Sequence, residues 1–385
     1  DFLHRTGVVN DETLDFLRDY RFTGTVRGYA EGECYFAGSP LLTVEGTFAE
    51  ACILETLALS IYNYDCAVAS AASRMTIAAH GRPCVDFGAR RAHEQAAVAA
   101  ARASVVGGFV GTSNLEAGLL YGIPTVGTSA HSFTLLHDSE EDAFAAQVAS
   151  LGPSTTILVD TYDIATGVER AVKAARAAGG ELGAVRLDSG DLVAEAFKVR
   201  AQLDTLGATS TKITVTNDLD EHAIAALGAA PVDSYGVGTK LVTGSGRPTA
   251  ALVYKLVERE GADGTMEEVA KFSSGGKSTV GGRKWAGRRL TSEGTAAEEL
   301  VVSSSSQDQG LAALSEAGAR PLQVLLVDEG RIIEEHRGKE ALSAAAERHR
   351  AARAELPYDA WRLSDGESAL PTRHVDLDGR SATRR

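Results

Sequence analysis

The chain has 385 residues, 44% of them hydrophobic and 23% charged, an ordinary globular mix long enough for two or three domains, or one large barrel with a companion. With 38 Lys and Arg against 52 Asp and Glu the formal net charge is −14, which argues against nucleic acid or an anionic membrane as partner but leaves room for small anions held by local positive groups. No apolar run reaches the roughly 18 residues of a membrane span, no secretory leader is visible, and Cys34, Cys52, Cys66 and Cys84 form neither a CxxC pair nor a zinc-like cluster with histidine, so reduced thiols and a cytoplasmic location are expected.

The sequence starts at Asp1, without methionine. Asn10 or Asp11 can cap a short helix whose apolar face is Leu14, Phe16 and Leu17. The following stretch, GTVRGYAEGECYFAGSPLLTVEG, alternates apolar and polar residues between Gly and Pro breaks and reads as short strands. From about Thr47 to His80 the chain is Ala- and Leu-rich and reads as a long helix. These segments set apart an N-terminal β-rich and helical region, residues 1–81.

From Arg82 the texture changes. Short apolar strands alternate with helical patterns: CVDFGAR, GGFVGTSN, TVGTSA, TTILVDTYD, GAVRLDSGD, KITVTND and DSYGVGT. Seven βα units imply parallel strands with helices outside, and favour a barrel-like closure over an open sheet. This α/β region is assigned to residues 82–243. Beyond Thr243 the rhythm stops. VYKLVERE and EEVAKFS read as strands, PLQVLLVDEGRII as a hairpin, and KEALSAAAERHRAARAEL as a solvated outer helix. Residues 244–385 are expected to return in part to the N-terminal domain.

Every barrel strand ends in polar or Gly-rich residues, and in barrel enzymes that end is the active face. VRLDSGDL crowds Arg186, Asp188, Ser189, Gly190 and Asp191 at one strand end. Asp188 suits sugar hydroxyls or a developing positive charge, Arg186 a phosphate or the neighbouring carboxylates, and Asp191 equally suits a helix cap. DTYD and TND add Asp160, Asp163, Asn217 and Asp218. Carboxylates facing an anionic ligand point to an intervening Mg²⁺, although capping suits Asp163 and Asp218 as well. In YGVGTKLVTGSG, Gly236, Gly238 and Thr239 suit close approach to a phosphate or a plain turn, and the dinucleotide fingerprint is absent. DFGARRAHE offers Arg90 and Arg91 to a small aromatic acid. The loop KFSSGGKSTVGGRK places Lys271, Ser273 and Lys277 where they fold over an anion or form a basic hairpin. His131 follows the strand end GTSA, among Thr128, Ser129 and Ser132. A structural imidazole and a base or phosphoryl-accepting nucleophile both fit there.

GTSAHSF, RLDSGDL, VGTSNLEAG, DFGARRAHE, TNDLDE and YGVGT together resemble nicotinate phosphoribosyltransferase, over about Leu3 to Arg289. The resemblance implies an irregular (β/α) barrel of the type II phosphoribosyltransferases, plus a β-rich second domain built from both chain ends. It implies transfer of phosphoribosyl from 5-phosphoribosyl 1-diphosphate to nicotinate, coupled to ATP hydrolysis, in NAD salvage, with Mg²⁺ and a homodimer. Carried over by position, His131 is the phosphorylated histidine and Asp188 the ribose-site carboxylate. Gly236, Gly238 and Thr239 grip the 5′-phosphate, with Arg186, Ser189 and Gly190 beside them. Arg90, Thr128 and Ser113 line the pyridine site, with Lys212 and Ser273 as further matches; the metal ligands are not singled out. A neutral Ser113 stands where nicotinamide-using relatives carry aspartate, which favours a carboxylate-bearing substrate. The alternatives are a nicotinamide or quinolinate enzyme, or a non-catalytic ribose-phosphate-binding barrel. Family members usually have a further N-terminal segment with a tyrosine that stacks on nicotinate, and the sequence from Asp1 does not supply it.

Overall fold

The computed structural model describes residues 2–271 and 279–379. The chain divides into two compact units, each built from separated segments. The α/β unit comprises Ser60–Leu252 and Gly338–Glu367; the β-rich unit comprises Asp1–Leu59, Val253–Arg337 and Ser368–Arg385. The long helix Phe48–Ala78 starts in the β-rich unit and continues into the α/β unit.

The α/β unit holds six parallel strands: β1 (Cys84–Asp86), β2 (Gly111–Thr112), β3 (Thr156–Leu158), β4 (Ala184–Leu187), β5 (Lys212–Val215) and β6 (Ser234–Val237). Their order is β2-β1-β6-β5-β4-β3. The pairing of β1 with β6 means that the ladder wraps round as a barrel does. It curls as a half-barrel, and among the described residues the ladder is open between β2 and β3. The segment TVGTSA, expected as a full strand, contributes a single parallel bridge, Thr125 to Thr112. Apart from Val126, itself exposed, that segment has no large apolar side chain to bury, so nothing holds a longer ladder there.

Side-chain alternation explains the two faces of this sheet. Val185, Leu187, Ile213, Val215, Tyr235 and Val237 are buried in one core cluster with residues of the outer helices. Between them fall Arg186, Thr214, Ser234 and Gly236, on the opposite face. The period-2 pattern therefore gives an apolar helix-facing side and a polar inner side. The crossover helices start on polar caps: Asn114 for Leu115–Tyr121, Asp163 for Ile164–Ala177, Asp191 for Leu192–Thr205 and Asp220 for Glu221–Ala226. The helix Gly338–Ala354 is not merely solvated. It buries Ala341, Leu342, Ala345 and Ala352, and Leu342 and Ala345 join a second cluster with Ala101, Val106, Ala117 and Ile123.

In the β-rich unit Thr25–Tyr29 lies between Leu42–Glu45 and Gln323–Asp328 in an antiparallel sheet, which Arg331–Ile332 extends as the expected hairpin. A second sheet runs Ala319–Pro321, Lys284–Leu290, Ala296–Ser303 and Thr372–Asp376, the last strand parallel to its neighbour. Glu258–Glu260 and Met266–Glu268 pair as a small hairpin, so the expected strand VYKLVERE is ordered as a strand only at its end. Trp285, Leu300, Val302, Leu314 and Ala319 form the core of the second sheet. No disulfide joins the four cysteines, and burial pushes the Cys84 thiol up to about 12.

Candidate functional site

The carboxyl ends of β1 to β6 bring together most of the residues singled out from sequence. At the end of β4, Arg186 donates from Nη2 to Asp188 Oδ1 at 2.9 Å, from Nη1 to Thr128 Oγ1 at 2.7 Å and from Nε to Thr216 Oγ1 at 2.8 Å. Its guanidinium also lies 5.4 Å from the centre of the Phe87 ring. One arginine thus ties the ends of β1, β4 and β5 to the segment carrying Thr128.

Asp188 accepts a close hydrogen bond from the Thr216 hydroxyl as well. Burial opposes its ionisation, but the Thr216 hydroxyl, the Arg186 guanidinium and the His131 side chain outweigh that, so its carboxyl is held below the usual range. Asp160, at the end of β3, accepts from the Asp188 backbone amide at 2.9 Å and from the Ser189 hydroxyl at 2.6 Å, both through Oδ2. Its Oδ1 is buried without a hydrogen-bond partner among the described residues. Gly190, with φ +81°, makes the turn that leads from Ser189 to the capping residue Asp191.

His131 opens the helix His131–Leu136 and faces these carboxylates. Its Nε2 lies 3.9 Å from Asp160 Oδ1 and 3.7 Å from Asp188 Oδ2, and its Nδ1 is 3.1 Å from Thr161 Oγ1. The side chain is 42% exposed. A core histidine would be enclosed and fully bonded; this one is partly open, with two carboxylates on one nitrogen and a hydroxyl on the other.

The second half of the edge is set by β1, β2 and β6. Asp86 is fully buried, and burial raises its carboxyl above the usual range despite bonds from the Thr112 hydroxyl and the Gly88 amide, each 2.7 Å. It ties the turn Ala89–Arg91, where Arg90 is exposed, to the turn at Ser113, whose amide donates to the Asp86 carbonyl at 2.7 Å. A depression of about 350 Å³, lined in part by Ala89, Asn114 and Glu116, lies beside these two turns. Gly236 has no room for a side chain, since a Cβ there would stand 2.6 Å from both the Phe87 ring and the Thr216 methyl. Gly238 and Thr239 follow it into the helix Thr239–Val242.

Lys212 is not brought to this edge. It starts β5 at the opposite, amino end of the sheet, is 65% exposed and pairs with Asp233 at 3.1 Å. Ser273 and Lys277 lie outside the described residues. Lys271 belongs to the β-rich unit, where its backbone pairs with Thr279. Asp163 caps its helix through Thr166, and the Asp218 amide donates to the Asn217 side-chain oxygen. Phe87, Thr161 and Thr216 were missed by sequence reasoning, although each follows a strand or touches a residue already singled out. Asn217 has φ +104°, a left-handed backbone at the end of β5 that a non-glycine residue adopts only under constraint.

A curled parallel sheet whose carboxyl edge gathers arginine, carboxylates, a partly open histidine and a glycine turn, with a β-rich unit built from both chain ends, defines the type II phosphoribosyltransferase class. Residues 83–280 match the nicotinate phosphoribosyltransferase (NAPRTase) family and residues 1–63 match the NAPRTase N-terminal domain. Nicotinate phosphoribosyltransferase pncB1 of Mycobacterium tuberculosis is 51% identical over 371 residues, covering 94% of this chain and 79% of its own length. The human nicotinate phosphoribosyltransferase is 31% identical over 72% of this chain and 62% of its own. Among solved structures, nicotinate-nucleotide pyrophosphorylase from Pyrococcus furiosus is similar with a TM-score of 0.71 at 26% identity, over 90% of this chain and 85% of that one. Human nicotinic acid phosphoribosyltransferase shares the fold with a TM-score of 0.74 at 23% identity, over 97% and 84% of the two chains. The chain belongs to the nicotinate phosphoribosyltransferase family.

Proposed function

We propose that the protein joins nicotinate to the phosphoribosyl group of 5-phosphoribosyl 1-diphosphate, releasing pyrophosphate and nicotinate mononucleotide, with ATP hydrolysis coupled through His131, as a salvage step toward NAD. The observation that carries this reading is the placement of His131 against Asp160, Asp188 and Thr161, beside Arg186. Nε2 faces the two carboxylates and Nδ1 the Thr161 hydroxyl, so the imidazole is oriented from both sides while its ring stays partly open to a phosphoryl donor. In the coupling step the γ-phosphoryl of ATP passes to the imidazole, the bond to ADP breaks, and later hydrolysis returns orthophosphate.

In the transfer step the pyridine nitrogen attacks the anomeric carbon as pyrophosphate leaves with its bonding electrons. Asp188, ionised because Thr216 and Arg186 hold it so, faces the developing positive charge of the sugar. Arg186 and the Gly236–Thr239 turn, with Ser189 and Gly190 opposite, take the phosphate groups. Thr128 and Arg90 serve the pyridine carboxylate, and the neutral Ser113 admits it. Among the described residues no cluster of three His, Cys, Asp or Glu side chains holds a metal by itself. The carboxylates of Asp160 and Asp188 nonetheless offer hard oxygens that would hold Mg²⁺ there. That ion, when bound, neutralises the leaving group. A homodimer in the cytoplasm completes the reading; among the described residues no helix is long and apolar enough to cross a membrane.

The test supplies radiolabelled nicotinate, the sugar donor and Mg²⁺, with and without ATP. Labelled mononucleotide is expected in both, more with ATP; none in either condition overturns the reading. His131→Ala is expected to keep the ATP-independent turnover and lose the stimulation. Unchanged stimulation removes His131 from the phosphoryl step.

A further inference from the structure

Three consecutive residues after the Thr239–Val242 turn have left-handed backbone: Gly244 (φ +59°), Ser245 (φ +56°) and Gly246 (φ +89°). Ser245 alone of these carries a side chain, and L-residues adopt this conformation only when surroundings hold them there. Its hydroxyl donates to Glu221 Oε2 at 2.5 Å. Glu221 is 4% exposed, and its Oε1 accepts from Arg74 Nε at 3.0 Å. The same long helix that carries Arg74 also reaches this segment through Tyr64, whose hydroxyl donates to the Val242 carbonyl at 3.0 Å, and through Ala67, which leaves Gly244 no room to spare. Thr243 returns its amide and hydroxyl to the Thr239 carbonyl at 3.1 and 2.8 Å. Whatever fixes residues 244–246 therefore fixes Thr239.

We propose that Glu221, locked by Arg74, is a positioning residue: through Ser245 it holds the Gly238–Thr239 turn in the shape that takes the sugar donor's phosphate. This rests on the reading of that turn given above. Glu221 is buried and comes from the helix after β5, so it couples two adjacent strand-end loops.

Steady-state kinetics of Glu221→Gln and Ser245→Ala, with the double variant, test this. Each single change is expected to raise the KM for 5-phosphoribosyl 1-diphosphate roughly ten-fold, with kcat and the nicotinate KM changed less than about two-fold. The double variant is expected to be no worse than either alone, because the two residues act through one bond. An unchanged donor KM in Ser245→Ala, or additive losses in the double variant, overturns the proposal. Amide hydrogen exchange of residues 239–247 reads the clasp without turnover. Faster exchange in both variants supports it, and exchange at the wild-type rate overturns it. A wild-type protein that does not use the donor overturns the reading of the site, whatever the exchange shows about the clasp.

Discussion

Asp188 shows how neighbours decide the work of a single carboxyl group. Half-burial alone would favour its neutral form, yet a hydroxyl and a guanidinium directed at one oxygen keep it ionised. Because its folded value lies below the ordinary one, the ionised form is present above the ordinary carboxylate range and is lost only as pH falls through the lowered value. The pH profile of kcat/KM should therefore show no acidic limb from Asp188 above about pH 4. Asp188→Asn keeps the shape and removes the charge, and kcat should fall roughly 10²-fold with the protein still folded. Ser113 makes the converse case, where neutrality matters. Ser113→Asp would set a carboxylate toward a carboxylate-bearing substrate, and kcat/KM for nicotinate should drop at least about ten-fold. Equal turnover by that variant would mean that Ser113 does not face the pyridine.

At the scale of elements, the same short motif splits between two jobs. In DSGD the first aspartate faces the site and the second caps a helix, its Oδ1 accepting the Ala194 amide at 3.1 Å. Asp191→Ala should cost about 1 kcal/mol of stability in urea denaturation and leave kcat within about two-fold. A large loss of kcat would give Asp191 a part in the chemistry after all. The strand ends and the helix caps were legible in sequence because each depends on local spacing, whereas the approach of Asp160, Thr161 and Asp188 to His131 joins residues far apart in the chain. Lys212 misled because adjacency to a strand does not say which end of it lies at the site; the register of β4 with β5 decides that, and register is a long-range property. The same holds for TVGTSA, where one bridge forms and no core asks for more. Phe87 and Thr216 became visible only once Arg186 was seen to touch both.

At the scale of the molecule, the β-rich unit carries a titratable group of its own that bears on stability. Lys284, in the β-rich unit, donates to the carbonyls of Gly281 and Gly282 at 3.0 and 2.7 Å, and burial brings its ammonium down from 10.5 to about 8. Below about 8 the folded and unfolded chains both carry this proton. Between the two values the unfolded chain keeps a proton that the folded chain has released, so unfolding becomes harder as pH rises there. Lys284→Met should lose that gain, measured as the difference between wild type and variant in urea denaturation across this range. Parallel curves for the two proteins would show that Lys284 does not titrate in the fold.

The strand Thr25–Tyr29 pairs with Gln323–Asp328, so 323 − 29 = 294 residues separate partners in one sheet. On a ribosome adding roughly 5–20 residues per second, the early strand waits tens of seconds for its mate. The α/β unit, whose strands all fall between Cys84 and Val237, is complete in the meantime except for its returning helix. During synthesis the N-terminal sheet is therefore an unfinished edge that invites the wrong neighbour. The slower the synthesis, the longer residues 25–29 have to be sheltered before residues 323–328 arrive to cover them.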